Sequence, residues 1–254
     1  MNYARGEILA FIDDDAYPAK DWLVNAMKNF SDPQVAAVGG PAITPENDTI
    51  KQKASGLVYS SRLVGGKYAY RYLPGKKIEV DDYPSCNLLI RKSVMQELGG
   101  FNTNFWPGED TKLCLDITRK LGKKIIYDPR VMVYHHRRPL FIPHIKQVAD
   151  YALHRGYFVK RYPQTSLRLP YFIPTLFVFS LFTGAAFSLF IIPMRIIYIL
   201  GLTLYLSSVL AFSFSKGLRF IPYLFSGIIF THLTYGICFL KGLISGRLKE
   251  EGAA

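Results

Sequence analysis

Short blocks of apolar residues alternate with polar ones over the first 140 positions, then give way to long, almost uncharged runs beyond residue 170. In the first region the blocks have the lengths of strands and short helices. "EILAFI" predicts a strand ending at Ile12. "DWLVNAMKNF" places Trp22, Leu23, Ala26, Met27 and Phe30 at helical spacing, with Pro18 and Asp21 as start signals. "VAAVGG" predicts a second strand closed by glycines. A helix is expected near residues 50–64, and a mobile loop across "GGKYAYRYLPGKK". "CNLLIRKSVMQELGGF" predicts a strand over 86–90 and a helix over 92–98 ended by Gly99. "GEDTKLCLDITRKLG" predicts a helix with Leu113, Ile117 and Leu121 on one face. "KKIIYDPRVMVYHH" predicts two strands broken at Asp128–Pro129. Strands alternating with helices point to an α/β domain with a mainly parallel sheet covered on both faces.

The second region changes the class of protein expected. Between Tyr171 and Ser215 the only charged residue is Arg195, and Phe220–Leu240 carries none, only His232. A bilayer-spanning helix needs about 20 apolar residues, so 171–193, 195–215 and 220–240 are candidate spans. Three buried helices of a soluble core are the competing explanation, which the length and sequence of the runs disfavour. The expected organisation is a catalytic domain over 1–140, a basic amphipathic juxtamembrane segment over 141–170, two to three spans over 171–241 and a polar tail over 242–254.

Charge adds an orientation. The net charge is +12; 25 basic and 17 acidic residues precede Tyr171, leaving that part at +8. Arg137, Arg138, Lys146, Arg155, Lys160, Arg161 and Arg168 crowd its last stretch against the single Asp150. A basic flank beside a span favours the cytoplasmic side and anionic headgroups. The expected location is therefore the cell membrane, multi-pass, with the catalytic domain cytoplasmic. No recognition motif accompanies the basic residues, so nucleic acid is not an expected partner. Cys86, Cys114 and Cys238 show no CxxC spacing, which argues against a disulfide framework or a zinc site.

Two acidic clusters carry candidate chemistry. Asp13, Asp14 and Asp15 stand directly after the first strand, and ligands of open α/β sheets sit beyond the carboxyl ends of strands. Adjacent carboxylates repel unless a cation compensates them, and hard oxygen ligands suit Mg²⁺ or Mn²⁺. A helix cap with a solvated acidic turn explains the same three residues. Glu109 and Asp110 begin the fourth predicted helix. There they interact well with the helix dipole; alternatively Asp110 serves as a general base, with Phe105–Trp106 as a pocket wall.

The order "EILAFIDDDAYP", "CNLLIRKSVMQELGGF", "FWPGEDTKLCLDI" and "VYHHRRP" resembles the inverting family 2 glycosyltransferases of the GT-A fold. The tail "THLTYGICFLKGL" resembles the membrane portion of members that build exopolysaccharides and other surface glycans. The resemblance covers nearly the whole chain. It implies a partial GT-A, Rossmann-like nucleotide-sugar transferase domain followed by C-terminal transmembrane helices. It implies that Asp13 and Asp15 are the ends of a DxD motif, with Asp15 on the metal and Asp13 near the ribose or diphosphate. Asp14 fills the variable middle position on the donor side. Asp110 matches the catalytic base, and Glu109 helps to place the acceptor. Asn87 falls in a block lining the donor sugar, while Gly99 and Gly100 shape the turn toward the acceptor loop. One of His135 and His136 is an added metal or phosphate contact, since neighbours on a strand face opposite ways; His135 is the metal candidate. Arg137 and Arg138 neutralise the leaving diphosphate or, alternatively, hold lipid headgroups. Tyr68, Tyr70 and Tyr72 are expected in a solvated loop rather than stacked on sugar or lipid. The implied partners are a nucleotide-diphosphate sugar, UDP-sugar first, a lipid-linked or glycan acceptor, and membrane lipids.

Two departures from the family pattern shape the expectation. The QxxRW motif of processive members is replaced by "HHRRP", which favours transfer of single sugars. Only a few residues precede the DxD strand, where the family places about three strand–helix units, so the chain is expected to lack the part that holds the nucleotide base. The competing functions are an inactive glycosyltransferase-like membrane scaffold or gene fragment, and a transporter subunit. A transporter would need polar groups within its spans, where only His232 and scattered Ser and Thr occur.

Overall fold

Ile8–Ile12 form a strand, β1, as the first apolar run predicts. In the computed structural model, which describes residues 3–252, the aspartates then turn the chain into β2 (Ala16–Pro18) and α1 (Trp22–Met27). Next come β3 (Val35–Gly39), β4 (Ala42–Ile43) and α2 (Ile50–Ser60). Thr49 and Gln52 start α2 with a reciprocal capping box, which satisfies two backbone donors. The polar domain continues through β5 (Ile78–Val80), β6 (Asn87–Arg91), α3 (Lys92–Leu98), α4 (Glu109–Leu115), β7 (Lys124–Tyr127) and β8 (Val133–His135). Gly99, at φ 75°, ends α3 in the left-handed conformation that glycine adopts without a Cβ clash.

The main sheet has the order β1-β6-β3-β7-β5. It corrects the expectation of a mainly parallel sheet. Only β3 and β7 run parallel; β6 is antiparallel to both β1 and β3, and β5 is antiparallel to β7. Unbroken apolar runs signal burial on both faces, and helices do cover both faces here. Burial says nothing about direction, which depends on the end at which the chain enters the sheet. Leu88 and Ile90 face Val94, Met95, Leu113 and Ile117, whereas Leu89 faces Trp22, Val38 and Val133 on the other side. Complete burial of each of these three β6 side chains contributes about 1.5–3 kcal/mol.

A second sheet, β2-β8-β4, pairs Ala16 with His135 and Tyr17 with Tyr134. Pro18 sits in its edge strand, where a missing N–H costs no ladder bond, and not at the helix start the sequence suggested. Residues 65–77 also differ from expectation. Gly66–Arg71 form a 3₁₀ turn tied down by ring contacts. Tyr70 packs on Tyr127 (4.8 Å), Tyr72 on Tyr59 (5.2 Å) and Tyr68 on Tyr171 (5.4 Å). The three tyrosines are half-buried rather than solvated.

The remaining chain is helical: α5 (Ile142–Arg161), α6 (Pro163–Ser166), α7 (Leu169–Phe190), α8 (Ile192–Ser215) and α9 (Ile221–Ile244). The last three are long and apolar enough to cross a membrane. Pro193 lies in the first turn of α8, a position that tolerates its missing N–H. Buried His144 ties α2, α5 and α9 together, with Nδ1 2.8 Å from Ser55 Oγ and Nε2 3.0 Å from Thr231 Oγ1. The backbones of α5 and α9 approach closely at glycines. A Cβ on Gly156 would stand 2.0 Å from the Phe239 carbonyl oxygen, and one on Gly242 1.9 Å from that of Leu153. No rotamer change relieves a clash with backbone, so Gly156→Ala is expected to cost about 1–3 kcal/mol or more. Thermal unfolding in detergent checks this against Gly246→Ala, whose Cβ meets nothing within 4 Å; equal midpoints would exclude close helix contact at Gly156.

Candidate active site

The register of β1 against β6 places Ile12 opposite Asn87. One step further along both strands brings Asp13 beside Cys86. The register of β2 against β8 brings His135 to the same place from the second sheet. His135 Nε2 lies 2.9 Å from Asp15 Oδ1 and 3.8 Å from Asp13 Oδ2. Ligand atoms of Asp13, Cys86 and His135 all lie within 4.8 Å of one another. His136 faces the other way, with Nδ1 2.5 Å from Asp48 Oδ1 and its ring tilted on Tyr17. The two histidines thus part as strand alternation requires.

Arg137 is buried in the wall of this site. Its guanidinium donates to the carbonyl of Ala42, lies 3.5 Å from Thr44 Oγ1 and 3.3 Å from His135 Nδ1, and covers the Tyr72 ring at 5.0 Å. An arginine only donates, so Nδ1 accepts and the Nε2–H of a neutral His135 donates to Asp15. Burial and Arg137 hold the His135 pKa down to about 4, against the pull of Asp15. Burial first, then Asp15, Asp14 and Glu109, push the Asp13 carboxyl upward, while Arg137 opposes them. Asp14 and Arg138 are exposed.

The donor set fits a small divalent cation. The carboxylates of Asp13 and Asp15 provide hard oxygen, and Cys86 Sγ is within reach of Asp13. His135 joins as a ligand only in its other tautomer, with the proton on Nδ1 and the Arg137 contact to Nδ1 given up; as it stands, it orients Asp15. Asn87 does not present itself to this site. It is fully buried, its Oδ1 accepts from Trp22 Nε1 at 2.8 Å, and its Nδ2 donates to the carbonyls of Gly40 and Val131. The expected donor contact from Asn87 is therefore corrected to a bracing role, because both ends of its amide are already engaged in the floor.

The second acidic cluster approaches from α4. Gly108, at φ 128°, lies so close to the Phe158 ring that a Cβ would stand 2.5 Å from it, and Phe105 meets the same ring edge-on at 5.1 Å. These contacts fix the start of α4 against α5. Glu109 accepts from the Gly108 N–H at 2.9 Å and half-buried Asp110 from the Thr111 N–H at 2.6 Å. Trp106 remains 75% exposed, so it walls no enclosed pocket. Burial, then Asp82 and Glu109, push the Asp110 pKa up to about 7, against Arg155 and the Thr111 N–H.

Residues 82–86 connect the two clusters: Asp82 accepts from Thr111 next to Asp110, Tyr83 meets Cys114 of α4, and Cys86 stands beside Asp13. Burial, then Asp13, push the Cys86 thiol up to about 12, with Arg137 opposing and Asp110 adding.

Beneath Asp110 lies a buried ion cluster that sequence reading missed. Asp82 Oδ2 sits 3.0 Å from Arg155 Nη1 and 3.6 Å from Arg71 Nη2, and its Oδ1 accepts from Thr111 Oγ1 at 3.3 Å. Arg168 grips Asp81 with both terminal nitrogens, at 2.9 and 2.6 Å. Arg155 and Arg168, expected to face lipid headgroups, are thus engaged by the protein's own carboxylates, Arg155 inside it and Arg168 near its surface. The signal was present in "VDDYP" (80–84), two adjacent acidic residues closing a strand.

Comparison with known proteins agrees with this arrangement. The family model described as glycosyl transferase family group 2 matches residues 8–233. A pre-mycofactocin glycosyltransferase of Mycobacterium tuberculosis is 28% identical over 166 residues, covering 64% of this chain and 34% of that protein. A glucosyl-dolichyl phosphate glucuronosyltransferase of Haloferax volcanii is 25% identical over 138 residues, covering 51% of this chain and 43% of that protein. The chain thus spans less than half the length of these curated relatives.

Proposed function

The chain belongs to glycosyl transferase family group 2, and from that membership we propose that it transfers a sugar from a nucleotide-diphosphate sugar, a UDP-sugar first, to a lipid-linked glycan acceptor. The transfer inverts the anomeric carbon and serves surface-polysaccharide synthesis. The observation that carries this reading is the 82–86 segment, which sets Cys86 beside Asp13 at one end and Asp82 against Thr111, next to Asp110, at the other. A divalent cation, Mg²⁺ or Mn²⁺, held by Asp13 and Asp15 would offset the charge developing on the diphosphate leaving group. Asp14 and Arg138 border the donor side. Arg137 keeps His135 neutral and adds positive charge near the phosphates. Asp110 takes the proton of the attacking acceptor hydroxyl, and Glu109 orients that acceptor.

A lipid-linked acceptor is supported by α7, α8 and α9, whose apolar surfaces suit a bilayer, and by the name of the haloarchaeal relative, which states a dolichyl phosphate acceptor. A cytoplasmic catalytic face in the cell membrane is supported by the basic stretch before α7. Incubation of the membrane-bound chain with a panel of nucleotide sugars and lipid-linked acceptors tests the proposal. Nucleotide binding without transfer across the panel would favour the scaffold reading.

The Asp110 pKa predicts the pH dependence. A base works in its ionised form, so kcat/KM should rise about tenfold per pH unit below pH 7 and level off above it. A profile flat between about pH 5 and 9 would remove Asp110 from the proton transfer.

A further inference from the structure

We propose that the thiol of Cys86 is a ligand in the cation site beside Asp13, so that this site binds thiophilic and borderline divalent ions (Cd²⁺, Zn²⁺, Co²⁺, then Mn²⁺) in preference to Mg²⁺. The inference rests on the reading of the aspartate turn as a cation site, and names a donor atom that reading lacks.

The antiparallel pairing of β1 with β6 makes Cys86 the cross-strand neighbour of Asp13. Its Sγ, an Asp13 oxygen and a His135 nitrogen lie within 4.8 Å of one another. Around an ion with bonds of about 2.0–2.3 Å, tetrahedral ligand atoms stand about 3.3–3.8 Å apart. The group therefore needs to close by at most about 1–1.5 Å, to which exposed Asp13 contributes by rotation of its side chain. Cys86 forms no disulfide. It differs from Cys114, whose Sγ accepts from the Tyr83 N–H and lies 3.5 Å from the Tyr83 carbonyl inside the core.

The chemistry of the donors sets the selectivity. Mg²⁺ prefers an octahedron of hard oxygens and sheds water reluctantly, whereas thiolate selects softer ions. On binding, the Sγ–H bond breaks, the Sγ–metal bond forms, and the proton passes to solvent; a coordinating thiol is deprotonated outright. Asp13 adds a carboxylate oxygen, and His135 adds Nε2 when its one ring proton shifts to Nδ1 and the Arg137 contact to Nδ1 is released; water completes the coordination.

The test uses the full chain in detergent, titrated with Cd²⁺ and with Co²⁺ and followed by near-ultraviolet thiolate-to-metal charge transfer. The band is expected in the native chain and in Cys238→Ser, and absent from Cys86→Ser and Cys86→Ala. Cd²⁺ affinity should fall at least tenfold in both Cys86 variants, the lower end of the roughly 10–100-fold that losing a supporting partner costs a metal site. Circular dichroism confirms that each variant is folded. A band that survives both Cys86 variants overturns the proposal. So does Cd²⁺ binding that lacks the band but is abolished by Asp13→Asn; that outcome leaves the cation-site reading intact. No binding of Cd²⁺, Mn²⁺ or Mg²⁺ by the native chain overturns both.

Discussion

Asp110→Asn is expected to lower kcat for sugar transfer by roughly 10²–10⁴-fold, the usual contribution of a positioned general base. Nucleotide binding should change little, because Asp110 stands at the start of α4 while the cation-side carboxylates leave from the end of β1. The substitution is a clean probe of charge. Asparagine has the same shape, and its side-chain oxygen can still accept the Thr111 N–H bond that Asp110 accepts at 2.6 Å. Stability should not fall. Because the carboxyl is pushed up to about 7 in the folded protein from an unfolded value of about 3.9, its penalty on folding grows between about pH 4 and 7 and is complete above that, and a neutral amide removes it. The variant should unfold at the native temperature near pH 4 and above it near pH 6 and near pH 8. Turnover of a nucleotide sugar by Asp110→Asn within a few-fold of native, at normal nucleotide affinity, would assign the proton acceptor elsewhere. Glu109 would then be the next candidate, since it acts on Asp13 from the same helix start.

The parts of this site legible in the chain were local ones. An apolar run of strand length followed by three carboxylates marks the tip of β1 without knowledge of any partner strand. Two acidic residues before the periodic "TKLCLDI" mark the start of α4 in the same way. The resemblance to sugar transferases rests on such blocks in order. The illegible parts depend on pairing across sequence. Cys86 joins Asp13 only because β6 inserts antiparallel between β1 and β3, and no periodicity encodes that insertion. His135 meets Asp15 through β2, a three-residue edge strand with a proline that reads locally as a helix start. Arg155 looks like one basic residue among seven before a membrane span. Its partner Asp82 lies far away in the chain, and burial converts a surface charge into an internal one. The tyrosines of residues 65–77 were misjudged for the same reason: their partners Tyr59, Tyr127 and Tyr171 come from three separate elements.

Asp82→Asn is expected to change stability and chemistry together, in directions that separate the two roles of the buried cluster. Asp82 is 3% exposed and faces Arg155 and Arg71 at once. Burial alone would raise its pKa, but Arg155 and Arg71 reverse that and leave it below the usual carboxylate value. Its stabilising contribution is therefore complete above the unfolded pKa of about 3.9 and is lost as pH falls through the lower folded value. An asparagine leaves two buried guanidinium groups without a counter-charge. Breaking a buried pair in this way costs about 3–5 kcal/mol, so the unfolding midpoint at neutral pH should drop sharply, and the loss relative to native should shrink toward low pH. The chemical effect has the opposite character. Asp82 is the largest charge raising the Asp110 pKa, and Arg155 opposes it. With Asp82 neutral and Arg155 still cationic, Asp110 ionises more readily, and the acid limb of the kcat/KM profile should move below pH 7. Arg155→Lys, which retains the charge but not the fork that spans Asp82 and Thr111, should lose stability while leaving the limb near its native position. A limb unmoved by Asp82→Asn would mean that burial alone sets the proton affinity of Asp110, and that the ion cluster only fastens α5 to the floor beneath α4.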